Sequence, residues 1–197
     1  KRLLKLLNDS ISNISNDNNM EFRILLVFLL MFLINNTIMA KENTTLFDFS
    51  FEDIDGNLVN LEKFSGKPIL VVNTASRCGY TPQYSNLQNL FLEYKDSDLT
   101  IIATTSNSFF QEYEEVEDIK KICLVNYGVG FVTSAPMSVK GSDVHPMYEW
   151  INKTYNKKPK WNFFKFLFDR NGKLISSWSS MTKPDSSKIT KQIDKLI

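Results

Sequence analysis

Cysteine, histidine and an excess of either charge are what this sequence lacks. Two cysteines in 197 residues are too few to staple a small disulfide scaffold. They are enough for one redox-active pair. A single histidine, His145, and two cysteines 45 positions apart (123 − 78) make a poor ligand set for a metal. Lys and Arg number 23 against 22 Asp and Glu, so the net charge of +1 supplies no basic surface for nucleic acid. Nor is there an uninterrupted apolar run long enough to cross a bilayer, which takes about twenty residues. The longest, Ile24 to Ile34, has eleven.

What is present is an ordinary globular composition, 43% apolar and 23% charged, in a chain of a length that fits one domain with a real core. The first 43 residues stand apart. Residues 1 to 19 open with Lys1, Arg2 and Lys5 and turn to Asn, Ser and Asp, a low-complexity composition. Arg23 and the Ile24–Ile34 run match the charged flank and apolar centre of a signal peptide, with Ala40 as a cleavage position. An uncleaved membrane anchor is the alternative. We therefore divide the chain into a targeting segment, 1–43, and a folded domain, 44–197.

The domain is organised around Asn73-Thr74-Ala75-Ser76-Arg77-Cys78-Gly79-Tyr80-Thr81-Pro82. Before it, Pro68 to Val72 reads as a buried strand. After it, Tyr84, Leu87, Leu90, Phe91 and Tyr94 recur at helical spacing from Gln83 onward. Cys78 thus lies in a strand-to-helix turn, where free backbone N–H groups and the helix dipole favour thiolate, the nucleophilic form. Arg77 adds a positive charge beside it. A buried structural thiol is the alternative. Asp98 to Thr104 reads as a second buried strand, so strand, helix and strand form a parallel crossover. Ligands of open α/β sheets bind beyond the carboxyl ends of strands, which places the Asn107–Glu112 loop on the same edge as Cys78.

Elsewhere, Phe47, Phe49 and Phe51 alternate as in a half-buried strand, and Asp55-Gly56 turns it into Leu58–Leu61. Glu114 to Tyr127 reads as a helix or a loosely wound helical segment with an apolar stripe that includes Cys123. Ala135-Pro136 is a candidate cis-proline site. His145-Pro146 reads as a helix start. Asn171-Gly172 is a hairpin turn, and Asp185 is the expected cap of a last helix whose buried face is Ile189, Ile193 and Leu196.

Asn73 to Thr81 resembles the active-site motif of the glutathione peroxidase family, in which selenocysteine or cysteine reacts with peroxide. Two further stretches carry the resemblance. Asn107-Ser108-Phe109-Phe110-Gln111-Glu112 is similar to the family's Asn-x-Phe-x-x-Gln-Glu pattern, one residue shorter before Gln111 and with Ser106 and Ser108 replacing its usual Cys and Gln. Trp161-Asn162-Phe163 matches its Trp-Asn-Phe motif. The resemblance implies a thioredoxin-like α/β fold, a central mixed sheet with helices on both faces. It implies a catalytic group of Cys78, Gln111, Trp161 and Asn162, no cofactor and no metal. Cys123 falls where members recycled by thioredoxin carry a resolving cysteine. The partners implied are a peroxide and thioredoxin, with glutathione as the alternative donor. The short stretch from Asn152 to Pro159 lacks the insertion by which larger members form tetramers, which points to a monomer. A structural Cys123 with glutathione as donor, and a non-catalytic redox sensor with a disabled Gln111 loop, are the competing readings.

Fused to a reporter, residues 1–45 are expected to carry it into the secretory route, because of the length of the Ile24–Ile34 run and its Arg23 flank. Reporter fluorescence confined to the cytosol would refute that expectation.

Overall fold

The structure is a computed structural model that describes residues 24, 25, 27–29 and 44–197. The rest of the segment, including the Ala40 cleavage position, lies outside the described residues. Among the described residues no helix is long and apolar enough to cross a membrane. The chain divides into two compact units, Lys1–Thr44 and Thr45–Ile197. The second unit holds the sheet and the candidate site.

Seven strands build it: β1 (Ser50–Glu52), β2 (Leu58–Asn60), β3 (Ile69–Thr74), β4 (Thr100–Thr105), β5 (Val132–Thr133), β6 (Lys165–Phe168) and β7 (Leu174–Trp178). The first two form an antiparallel hairpin, closed by Asp53, whose carboxylate accepts the backbone N–H groups of Asp55 and Asn57. The other five form one sheet in the order β5-β4-β3-β6-β7. β3 pairs with β4 in parallel and with β6 antiparallel, so the sheet is mixed. Every residue of β3 is buried. That follows from a β-branched apolar run covered on both faces.

Four α-helices flank the sheet: α1 (Gln83–Glu93), α2 (Val116–Lys120), α3 (Pro146–Tyr155) and α4 (Ser187–Ile193). On one face Leu70, Val72, Ala103 and Leu167 meet Tyr84, Leu87 and Leu90 of α1 and Ile189 and Ile193 of α4. On the other, Ile69, Val71, Ile102, Phe166 and Phe168 meet Met147, Tyr148 and Ile151 of α3. The alternation of strand side chains thus sends successive residues of β3 and β6 into two separate cores. His145 caps α3, its Nδ1 accepting the Met147 N–H at 3.3 Å.

Several local expectations are corrected. Phe47 is not in a strand: Leu46–Asp48 form a 3₁₀ turn, and only Ser50–Glu52 is extended. The reason is a capping box, in which the Thr45 N–H donates to Asp48 Oδ2 at 2.7 Å while the Thr45 hydroxyl accepts the Phe47 N–H. Of the two forms expected for Glu114 to Tyr127, the structure has the loosely wound one: α2 is short and passes into a π-helical segment, Lys121–Asn126. Ser186, not Asp185, is the cap residue of α4. Asp185 instead accepts a hydrogen bond from Asn86 Nδ2 at 2.7 Å. The described residues contain no cis peptide bond, so Ala135-Pro136 is trans.

Gly172, in the β6–β7 turn, has φ of +71°, and a Cβ there would lie 3.0 Å from the Leu46 nitrogen and 3.1 Å from Phe47. Both the left-handed backbone and the close approach require glycine. Gly172→Ala is expected to lower stability by about 1–3 kcal/mol. Urea unfolding checks it, and an unmoved midpoint would contradict it.

Candidate active site

The site is made where the carboxyl ends of β3 and β4 meet the chain entering β6. Beyond β3, the 75–81 turn is stapled by Thr81. Its hydroxyl donates to the Ala75 carbonyl at 2.9 Å and accepts the Cys78 N–H at 3.0 Å. The Thr81 N–H closes on the Cys78 carbonyl at 2.9 Å. Cys78 is buried, and its sulfur accepts the Tyr80 N–H at 3.4 Å. A backbone N–H aimed at the sulfur stabilises negative charge on it. Arg77 points elsewhere in part, its guanidinium lying 5.5 Å from the centre of the Tyr113 ring.

The loop beyond β4 is tied to this turn twice. The Arg77 N–H donates to the Gln111 carbonyl at 2.9 Å, and the Ser76 N–H donates to Glu112 Oε1 at 3.0 Å. Glu112 is itself buried, and burial raises its pKa above the ordinary carboxylate value. The shorter loop does not displace Gln111. Phe110 adopts a left-handed φ of 60°, and the Gln111 side chain accepts Asn162 Nδ2 at 3.1 Å. The loop is therefore short by a residue yet still delivers its amide.

The third segment is held by Asn73, the first residue of the stretch that carries Cys78. Its Nδ2 donates to the Trp161 carbonyl at 3.1 Å, and its Oδ1 accepts the Phe164 N–H at 3.0 Å. Between these anchors Phe163 takes a left-handed φ of 61° and enters the core. Strained backbone of this kind persists where surrounding contacts over-determine it, and it clusters at functional sites. The Asn162 side chain is fully buried, with Oδ1 unpartnered, while its carbonyl accepts the Ser180 hydroxyl at 2.6 Å. Trp161 is 41% exposed, and its ring lies 5.2 Å from that of Phe109.

Gln111 and Asn162 are thus in direct contact, Gln111 is bonded to the residue before Cys78, and Trp161 packs on the Gln111 loop. Cys123 is placed differently. It is fully buried in the π-helical segment, in the same apolar cluster as Cys78, and both cysteines are free. Its thiol donates weakly to the Lys120 carbonyl at 3.9 Å. Burial pushes its pKa up to about 11, so it rests as the inert thiol. Asn73 and Glu112 lie in the matched motifs and Ser180 does not, but none of the three was given a role, because each acts through a side-chain hydrogen bond to the backbone of a distant segment, which leaves no local pattern.

A mixed central sheet with helices on both faces and one cysteine in the turn after a central strand defines a thioredoxin-like protein that cannot run dithiol exchange within that turn. The chain belongs to the glutathione peroxidase family, whose profile matches residues 46–152. It is 37% identical to a glutathione peroxidase of Lactococcus lactis subsp. cremoris, over 77% of this chain and 98% of that protein. It is 40% identical to a glutathione peroxidase-like peroxiredoxin of Schizosaccharomyces pombe, over 71% and 91%. The crystal structure of T. cruzi GPX1 superposes with a TM-score of 0.61 at 30% identity, covering 78% of this chain and 96% of that one.

Asn162→Ala removes the donor to Gln111. It is expected to raise the barrier to oxidation of Cys78 by about 2–4 kcal/mol, the range for losing one transition-state donor. Stopped-flow oxidation by hydrogen peroxide measures it, and an unchanged rate in a folded variant would return Asn162 to a packing role.

Proposed function

We propose that this protein is a thiol peroxidase that reduces hydrogen peroxide and organic hydroperoxides through Cys78, resolves the product with Cys123 and is recycled by thioredoxin. The observation that carries the reading is the Asn162 amide bonded to the Gln111 amide, in a loop whose Gln111 carbonyl accepts the Arg77 N–H beside Cys78, with no second cysteine in that turn.

The Cys78 thiolate attacks the terminal peroxide oxygen. The O–O bond breaks, Cys78 becomes a sulfenic acid, and the leaving oxygen takes a proton to depart as water or an alcohol. Gln111, Asn162 and the Trp161 indole N–H supply neutral hydrogen bonds to the sulfur and the departing oxygen. Neutral donors suit this step because they stabilise charge without locking the sulfur in an ion pair.

The Cys123 thiol then attacks the sulfenic sulfur. An S–S bond forms, the S–O bond breaks, and the thiol proton leaves with the hydroxyl as water. The two Cα atoms must come within about 7 Å, which a cysteine held inside a helical segment does not meet without unwinding. Unwinding is cheap here, because of the six residues Lys121–Asn126 only Cys123 is buried, and Val125 is 76% exposed. Unwinding also frees the thiol from the burial that keeps it protonated. Thioredoxin, a dithiol, reduces the resulting disulfide by exchange. The complete burial of Cys123 in the reduced form favours one second reading, with glutathione reducing the sulfenic acid directly. We further propose that the protein acts as a monomer and enters the secretory route through its N-terminal segment.

Cys78→Ser is expected to abolish peroxide consumption, since a hydroxyl without a base beside it is a weak nucleophile. Residual activity above roughly a tenth of wild type would reject Cys78 as the nucleophile. Cys123→Ser is expected to reduce one equivalent of peroxide and then stall with thioredoxin as donor, accumulating sulfinic acid. Full thioredoxin-dependent turnover in that variant would move the resolving thiol elsewhere, and turnover with glutathione alone would favour the second reading.

A further inference from the structure

Lys165 is the one lysine of the folded unit with no exposure at all. It lies in β6, paired with Val72 of β3 on one side and Trp178 of β7 on the other, so its backbone is fixed on both edges. Its neighbours in β6, Phe166 and Phe168, face the α3 core, whereas Leu167 and the preceding Phe163 face the core that contains Cys78. By strand alternation Lys165 shares that second face. Buried lysines are rare unless paired, and a Met or Leu would fill the same volume at lower cost. Yet among the described residues no carboxylate pairs with this ammonium.

Its one hydrogen-bond partner is Gln83 Oε1, at 2.5 Å, in the first residue of the helix that follows Cys78. From there the contacts continue through the backbone of Ser180 and of Asn162. Gln83 Nε2 donates to the Ser180 carbonyl at 2.6 Å. The Ser180 hydroxyl donates to the Asn162 carbonyl at 2.6 Å. Asn162 Nδ2 donates to Gln111 Oε1 at 3.1 Å. Gln83, Ser180 and Asn162 are all buried, so each link works away from water, where a hydrogen bond is stronger and its loss costlier.

We propose that Lys165 is a positioning residue of the Cys78 site, orienting Asn162 and Gln111 through Gln83 and Ser180 and placing a positive charge at the start of the helix that follows Cys78. This rests on the peroxidase reading and deepens it. Burial alone lowers the Lys165 pKa to about 7. Around it, Cys78 lies in the turn, Tyr84 on α1 and Cys123 in the same core cluster, Glu112 is buried in the loop beyond β4, Asp185 is bonded to Asn86, and Tyr94 of α1 is bonded to Asp194 after α4. Tyr84 stays neutral, its pKa raised well above the ordinary value by burial.

The test is Lys165→Met in the whole chain, read two ways. One is the rate of Cys78 oxidation by hydrogen peroxide. The other is the pH of half-maximal Cys78 alkylation by iodoacetamide, mapped by mass spectrometry, which needs no turnover. The oxidation rate is expected to fall about tenfold and the alkylation midpoint to rise by about one pH unit. A lysine that only fills space would leave the midpoint in place, and that result would overturn the proposal. Gln83→Leu cuts the next link while leaving the amine, and it is expected to slow oxidation too. An unchanged rate in it would overturn the positioning role, including where Lys165→Met fails to fold. Wild-type protein inert to peroxide, with the alkylation shift still seen in Lys165→Met, would reject the peroxidase reading and leave the Lys165 assignment standing.

Discussion

Strand β3 is hydrogen-bonded along both edges, in parallel to β4 and antiparallel to β6, and the site depends on that one arrangement. The parallel partner sends its loop off the same edge as the Cys78 turn. The antiparallel partner begins at that edge and so brings its entering segment, Trp161 to Phe164, to the same place. Asn73, near the end of β3, uses its side-chain amide to fasten that segment as well as its backbone to extend the sheet. Without the double pairing, three stretches separated by tens of residues would have no common edge to share.

Two phenylalanines in left-handed backbone flank the groups that converge. Phe110 precedes Gln111 and Phe163 follows Asn162. The two differ in what holds them. Phe163 is locked by burial, its ring edge-on to Tyr84 at 5.4 Å. Phe110 is 87% exposed, so its conformation is imposed by the loop around it, through the Arg77 bond to the Gln111 carbonyl and the Glu112 anchor on Ser76. The strain is local, and the rigid sheet beneath it supplies the restraint.

The two cysteines occupy opposite conditions. Cys78 sits in a turn crossed by side-chain and backbone hydrogen bonds, beside an N–H that can support a thiolate. Cys123 sits among apolar side chains in a segment with little else buried. On the proposed peroxidase reading, a nucleophilic thiol on a stiff frame and a protected thiol on a weak one suit a two-step cycle. The first step needs fixed geometry, and the second needs a segment able to leave its place.

The strands and helices of the central unit were legible because their signals are periodic and local. The Pro68–Val72 run, the α1 spacing and the Asn-Gly turn each carry their structure in adjacent residues. Cys78, Gln111, Trp161 and Asn162 were legible as motif positions, through resemblance rather than through periodicity. A weak local signal was misread where side chains overrode it, as in the capping box of Thr45 and Asp48. Gln111 reaching Asn162 despite a shortened loop, Asn73 fastening Trp161, and Lys165 ending a buried chain of hydrogen bonds were decided by tertiary structure alone. Each depends on contacts between residues far apart in sequence, whose partners exist only once β3, β4 and β6 lie side by side.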